Sequence, residues 1–172
     1  MVDGGRGVLN ALLADVFIFT DAVSGREAGA SPGYGLTLVA ETTSGCLISA
    51  ECCAAHGAQQ RADSGGDWSG GMPAVVPEDV GRACAQLLLE EVQRGGVVDG
   101  GHQPLLLTMC ALGAAEINQV RLGPLTPQAV RTLRHIKDFF DVQFSIKAER
   151  ESRTLFLSCI GTGLRNLNKK VT

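Results

Sequence analysis

The sequence lacks most of the features that would assign it to a specialised class of protein. Aromatic residues make up 5% of its 172 positions, and histidine occurs three times. No apolar run approaches the length of a membrane span. The six cysteines show no spacing that suits zinc, and no glycine-rich segment ends in the Lys-Ser or Lys-Thr of a phosphate-binding loop. The sequence therefore predicts no metal site, no cofactor site and reduced thiols in an intracellular protein.

The composition that is present predicts a globular protein with a hydrophobic core. Hydrophobic residues make up 45% and charged residues 19% of the chain. A net charge of −3 and an isoelectric point near 5.6 give no overall attraction to nucleic acid. Any RNA contact must then come from a local basic surface, or a partner must supply it. The candidate residues for an RNA or partner surface are Arg121, Arg131, Arg134 and Lys137; the alternative is a solvated helix face.

Short apolar segments alternate with turn-rich segments in the first half. Spacing of apolar residues predicts the end of a helix over residues 7–14, and the β-branched and aromatic residues 16–20 predict a short buried strand. Alternation over residues 35–42, a short turn and a second apolar segment over 46–52 predict a β-hairpin. Residues 54–72 are rich in glycine, serine, aspartate and glutamine, which predicts an exposed loop insertion.

The second half has the pattern of an α/β layer with helices packed on one face of a sheet. A helix begins at Pro77 and ends before Gly95, and residues 104–112 form a short apolar helix that should be buried. A strand over 120–122 precedes a helix that Thr126 caps and that ends at Phe140. Strands over 143–148 and 155–160 follow. The predicted buried face of the capped helix consists of Val130, Leu133, Ile136 and Phe140.

Three segments carry a family resemblance: residues 31–45 (SPGYGLTLVAETTSG), 77–84 (PEDVGRAC) and 122–127 (LGPLTP). Together they resemble the RNA 3'-terminal phosphate cyclase family, and within it the cyclase-like branch that works in ribosome biogenesis. The chain matches the C-terminal half of this family. The resemblance implies an α/β fold in three parts: residues 1–55 remain from an inserted small domain, residues 56–73 are a flexible loop insertion, and residues 74–172 are the C-terminal part of the cyclase core, its last βαβ-type repeat.

The same resemblance implies that the catalytic residues are missing. True cyclases adenylate a histidine that begins a His-Leu-x-Thr-Asn motif, then transfer AMP to an RNA 3'-phosphate that closes to a 2',3'-cyclic ester. In the matching stretch, residues 120–126, Arg121 stands at or beside the histidine position, and arginine stays protonated. An Asp-Gln pair that contacts the nucleotide in cyclases falls on Pro104 and Leu105. We therefore expect no catalytic, cofactor-binding or metal-binding residues.

The resemblance implies a non-catalytic factor in small-subunit ribosome biogenesis. Members of this branch are nucleolar, belong to the small-subunit processome and bind its GTPase. We expect this chain to act in early precursor ribosomal RNA processing in the nucleus and nucleolus, through processome proteins and through weak or indirect contact with the precursor RNA. Two alternatives remain open. One is an active, ATP-dependent RNA 3'-terminal phosphate cyclase, and the other is a processing endoribonuclease.

Overall fold

The computed structural model describes residues 1–29, 33–54 and 76–165, and it has a mixed α/β architecture. The chain divides into two compact units: Met1–Val39 with Ser49–Glu90, and Ala40–Ile48 with Glu91–Thr172. The predicted fold class is confirmed. The predicted insertion, residues 56–73, lies outside the described residues, and the domain limits at 55 and 74 remain a prediction.

In chain order the elements are α1 (Val2–Leu9), a 3-10 turn (Gly25–Ala28), β1 (Gly35–Glu41), β2 (Leu47–Cys53), α2 (Pro77–Arg94), α3 (Gln103–Leu112), β3 (Ile117–Leu122), α4 (Pro127–Phe140), β4 (Ser145–Glu149) and β5 (Thr154–Ile160).

Strands β1 and β2 form the predicted hairpin as a two-stranded sheet. Its turn is closed by the Thr42 amide, which donates to the Cys46 carbonyl at 2.9 Å. The Thr42 hydroxyl in turn accepts from the Cys46 amide at 3.0 Å. Gly45 has a φ of 80°, a conformation that glycine adopts without the steric cost of a side chain. The local turn sequence therefore accounts for the hairpin.

Helix α2 buries one apolar face in the first unit. Its buried residues are Val80, Gly81, Cys84, Ala85 and Leu88, at the three- and four-residue spacing of a helix face. The Cys84 thiol lies 3.4 Å from the Leu36 carbonyl of β1 and 3.5 Å from the Ala50 carbonyl of β2. Small residues allow α1 to approach α2 closely, because a Cβ at Gly81 would lie 2.0 Å from the Met1 carbonyl oxygen.

Two predictions for the N-terminal segment are wrong. The first helix begins at Val2 and ends at Leu9, so it does not extend over residues 10–14. Residues 16–20 form no strand, and Phe17 and Phe19 are 77% and 91% exposed. β-branched and aromatic residues favour a strand only where a partner backbone and a covering surface are present. The described part of the chain provides neither for this segment.

The sheet of the second unit has the strand order β3-β5-β4. Strand β5 pairs antiparallel with both neighbours, so β3 and β4 are parallel to each other on either side of it. Helix α4 connects them in a split β-α-β arrangement. The outer edge of β3 is met at one point, where Gly96 bridges to Leu122 and the Val97 amide donates to the Arg121 carbonyl at 3.0 Å. Strand β4 is the opposite edge.

The core of the second unit lies between this sheet and helices α3 and α4. Its buried residues are Leu107, Ala111, Val120, Leu122, Ala129, Ile136, Val142, Leu157 and Cys159. Helix α3 buries one face. The prediction that this helix is buried is wrong for its other face, where Leu105 and Met109 are 55% and 58% exposed.

Helix α4 begins as predicted. The Thr126 hydroxyl accepts from the Ala129 amide at 3.1 Å. The predicted burial of Ile136 is confirmed, while Val130 and Leu133 are half-buried. Phe140 is 44% exposed, and its predicted burial is wrong. The helix ends there at Asp141, which has a left-handed conformation, and Val142 beyond that turn is buried instead.

Candidate nucleic-acid and partner interface

Packing fixes the loop between β3 and α4, the stretch in which the family resemblance predicts that the histidine motif is missing. Leu122 is fully buried. A Cβ at Gly123 would lie 2.6 Å from the Gly95 carbonyl oxygen, so a side chain at this position would require the backbone to move. The buried Gln103 side chain donates to the Pro124 carbonyl at 3.1 Å and accepts from the Thr126 amide at 3.0 Å. Packing and hydrogen bonds therefore hold the backbone of this loop in one conformation.

The role of Gln103, which directly precedes the Pro104–Leu105 pair, was not predicted from the sequence. Gln103 is 2% exposed, and buried polar side chains of this kind are nearly always hydrogen-bonded. The available signal was a single amide side chain at the start of a helix that is otherwise almost wholly apolar. Leu105 is more than half exposed on that helix. Neither Pro104 nor Leu105 has a side chain that could hydrogen-bond a nucleotide.

Close to this loop in sequence, the imidazole of His102 contacts the carboxylate of Asp99. The His102 Nδ1 atom lies 2.9 and 3.0 Å from the two Asp99 carboxylate oxygens. The His102 amide also donates to Asp99 Oδ1 at 3.1 Å, so the carboxylate fixes the turn before α3. Asp99 is buried, whereas the His102 side chain is 56% exposed. The sequence pattern alone does not reveal this partner of His102.

Arg121 lies on β3 and pairs with a carboxylate across the sheet. Its guanidinium contacts the Glu149 carboxylate, and both side chains are about half exposed. Glu149 also accepts from the Ser152 hydroxyl at 2.7 Å. The Ser152 hydrogen bond, with the charge of Arg121, lowers the pKa of Glu149. The Arg121 side chain is therefore held by an acidic neighbour.

The three candidate residues of α4 lie together on its surface. Arg131, Arg134 and Lys137 follow one another at three-residue spacing, which makes them neighbours on a helix. Arg134 and Lys137 line a groove of about 330 Å³ beside β4. Its apolar lining consists of Leu125, Val130, Leu133, Val142, Phe144 and Ile146. We call this groove, together with Arg131, Arg134 and Lys137, the α4 surface.

Arg121 does not join the α4 surface. Its sequence neighbours Val120 and Leu122 lie in the core with Ala129 and Ile136 of α4. Successive side chains of a strand point to opposite faces of its sheet. Arg121 therefore lies on the face turned away from the helices. The structure brings three of the four candidate residues together and separates the fourth.

The described residues contain no cluster of three or more histidine, cysteine, aspartate or glutamate side chains that could hold a metal ion. Among the same residues, none of the helices is both long and apolar enough to cross a membrane.

Known proteins match this chain over almost its whole length. The insert domain of RNA 3'-terminal phosphate cyclase (RTC) matches residues 1–93. The "Probable RNA 3'-terminal phosphate cyclase-like protein" of Arabidopsis thaliana is 46% identical over 168 residues, which are 97% of this chain and 44% of that protein. The RNA 3'-terminal phosphate cyclase-like protein of Homo sapiens is 41% identical over 175 residues, covering 98% of this chain and 44% of the human protein.

A third relative carries a functional name. The "rRNA processing protein rcl1" of Schizosaccharomyces pombe is 40% identical over 173 residues, covering 99% of this chain and 43% of that protein. This chain thus spans less than half the length of the curated relatives it matches. The insert-domain match covers more than half of the chain and confirms the resemblance seen in the sequence. The chain belongs to the RNA 3'-terminal phosphate cyclase family.

Proposed function

We propose that this chain acts in ribosomal RNA processing as a non-catalytic, cyclase-like factor of small-subunit ribosome biogenesis. Its relatives are named cyclase-like, and one of them is named an rRNA processing protein. On this proposal it works in the nucleolus at early cleavages of the precursor RNA, by binding protein and RNA. Because the chain spans less than half of each relative, the activity of a whole relative is here an inference for this part.

The chemistry of the loop after β3 is the observation that carries the non-catalytic part of this proposal. Adenylation needs a nucleophile beside the nucleotide. In residues 120–126 the one ionisable side chain is Arg121, which is paired with Glu149. The hydroxyl of Thr126 caps α4, and Gly123 has no side chain to offer. This stretch therefore supports a binding role and offers nothing for covalent catalysis.

The α4 surface is the proposed contact for a protein partner. An apolar groove flanked by Arg134 and Lys137 favours a segment that carries both apolar and acidic side chains. Apolar side chains of that segment would fill the groove, and its carboxylates would pair with the two cations. On our proposal the partners are the processome GTPase and other processome proteins.

Depletion of this protein from its host cells, combined with an adenylation assay, tests the proposed function. We expect the depleted cells to accumulate the uncleaved precursor of small-subunit ribosomal RNA, measured by hybridisation. We expect the purified chain, incubated with ATP labelled in its α-phosphate, to retain no label after denaturation. Unchanged precursor levels would contradict the processing role.

In the adenylation assay, one variant would identify the nucleophile. A label that survives denaturation would contradict the non-catalytic proposal and favour an active cyclase. If the same label disappeared in His102→Asn, the Asp99–His102 pair would hold the nucleophile. His135→Asn is the matched control, since His135 is an exposed histidine on α4 with Phe139 as its ring neighbour.

A further inference from the structure

The face of the β3-β5-β4 sheet that is turned away from the helices carries an ordered set of side chains. Strand pairing places Arg121 directly opposite Phe156, and Phe156 directly opposite Lys147. Residues that lie opposite each other in adjacent strands share one face of the sheet. The neighbouring positions Val120 and Leu157 are buried in the core on the other face. An aromatic ring thus lies in register between two cations.

This face is accessible to a ligand. Arg121 and Lys147 are exposed, and Phe156, on the central strand, is half-buried. The next row on the same face is polar and consists of Gln119, Ser158 and Ser145. We call these two rows, with Glu149, the sheet surface.

The charge of the sheet surface favours an anionic ligand. Its exposed charged side chains are Arg121, Lys147 and Glu149, and the adjoining turn between β4 and β5 carries the exposed Arg150, Glu151 and Arg153. In the strands and the turn together, four cations therefore outnumber two carboxylates. Adjacent strands are about 4.8 Å apart, so the backbones that carry Arg121 and Lys147 are separated by roughly 10 Å across the ring. Two cations at this separation can contact successive phosphates of an extended strand while a base lies between them.

Single-stranded nucleic acid fits this set better than a protein segment. An aromatic side chain on an open sheet stacks on an unpaired base, and flanking basic residues contact the phosphates. The adjacent row of one amide and two hydroxyls supplies donors and acceptors for base edges. A protein segment would gain more from an apolar groove of the kind found on the α4 surface, across the sheet.

We propose that the sheet surface is a binding site for single-stranded RNA, with a base stacked on Phe156 and phosphates held by Arg121 and Lys147. The proposal rests on the proposed processing role only in naming RNA as the strand. In the RNA-free protein the Glu149 carboxylate forms an ion pair with the Arg121 guanidinium. A phosphate replaces this carboxylate when RNA binds, so Glu149 acts as an internal competitor.

The test is fluorescence anisotropy of the full 172-residue chain with labelled oligouridine and oligoadenosine, across a range of salt concentrations. Stacking on an aromatic side chain is worth about 1–3 kcal/mol per base, so Phe156→Leu should raise Kd roughly 5- to 150-fold. Lys147→Ala should reduce the slope of log affinity against log salt by about 0.7, the value for one phosphate contact on a single strand. Glu149→Gln should lower Kd several-fold, an effect that loss of structure could not produce.

Matched controls come from helix α4. Phe139→Leu removes an aromatic side chain that is 79% exposed, and Arg131→Ala removes an exposed arginine. Both variants should bind RNA like the wild type. If Phe156→Leu fails to fold, as judged by circular dichroism, Lys147→Ala and Glu149→Gln still decide the question, because both residues are exposed.

Several outcomes would overturn this inference. They are wild-type chain that does not bind the oligonucleotides, equal affinity for duplex RNA, unchanged binding in Lys147→Ala, and weaker binding in Glu149→Gln. They leave the proposed role in ribosomal RNA processing to its own test, because precursor accumulation after depletion is measured independently. If the precursor accumulated while the purified chain failed to bind RNA, only the sheet-surface inference would be wrong.

Discussion

Burial controls the chemistry of Cys84. Its side chain is fully buried between α2 and the hairpin, where desolvation and then the neighbouring Cys52 raise the pKa of its thiol from 9.0 to about 12. Thiolates are the reactive form of cysteine, so this residue is protonated and unreactive at neutral pH. The sequence predicted reduced thiols in general. It could not distinguish buried Cys84 from exposed Cys53, because both lie in apolar segments.

The stability of the first unit should therefore fall in alkaline solution. The unfolded Cys84 thiol loses its proton near pH 9.0, whereas the folded thiol keeps its proton up to about pH 12. The unfolded state then binds fewer protons over this interval, and the free energy of unfolding decreases as pH rises through it. Urea denaturation at neutral pH and at about pH 10 measures the change. Cys84→Ala should show a shallower decrease, and Cys53→Ala should match the wild type. Equal decreases in all three would contradict this account.

At the scale of elements, α1 and α2 depend on two glycines at their contact. A Cβ at Gly81 would lie 2.0 Å from the Met1 carbonyl oxygen, and one at Gly4 would lie 2.5 Å from the Glu78 carbonyl oxygen. Both obstacles are backbone atoms, which cannot rotate away as a side chain can. The close approach of these helices is therefore incompatible with any side chain at either position.

Replacement of Gly81 by alanine should destabilise the chain even though alanine favours helices. The propensity gain is about 1 kcal/mol, whereas overpacking costs about 1–3 kcal/mol and the two helices must also separate. Gly7→Ala is the matched control, since nothing lies within 4 Å of its Cβ position on α1, and it should stabilise. Thermal unfolding of the two variants should shift in opposite directions. Shifts of the same sign would show that α1 and α2 lie farther apart than these Cβ distances indicate.

Elements with strong local signals were predictable, and those that depend on distant contacts were not. The turn of the hairpin, Pro77 at the start of α2 and the Thr126 cap of α4 all act within a few residues. The strand predicted over residues 16–20 failed, because a strand needs a partner that no local pattern supplies. The predicted burial of Phe140 was wrong for a related reason. The helix ends at the left-handed Asp141, and Val142 after this turn packs into the core in place of Phe140.

The candidate site was predictable only in part for the same reason. Three-residue spacing placed Arg131, Arg134 and Lys137 together on one helix, and the structure shows that arrangement. The separation of Arg121 from them depends on the register of β3 with β5, which the sequence does not reveal. The position of Lys147 opposite Phe156 depends on the same sheet and was missed.

At the scale of the whole molecule, a chain with net charge −3 carries two separate basic surfaces. The α4 surface combines cations with an apolar groove, and the sheet surface combines cations with an aromatic ring. Opposite potentials accelerate association and select partners, and both effects weaken in high salt. On the two proposals, one acidic protein would hold a protein partner and an RNA strand on different faces.

Charge reversal should separate these two activities. The Arg134→Glu, Lys137→Glu double variant places carboxylates beside the groove, so it should weaken binding to the processome GTPase at least tenfold, because like charges at an interface cost several kcal/mol. Its affinity for oligouridine should stay close to that of the wild type. Lys147→Glu should have the reverse effects, and all three side chains are exposed, so the fold should persist. Binding to the immobilised GTPase and anisotropy with oligouridine, in the same buffer, measure both affinities for each variant. If either variant weakened both interactions equally, protein and RNA would share one surface, and the assignment of separate faces would be wrong.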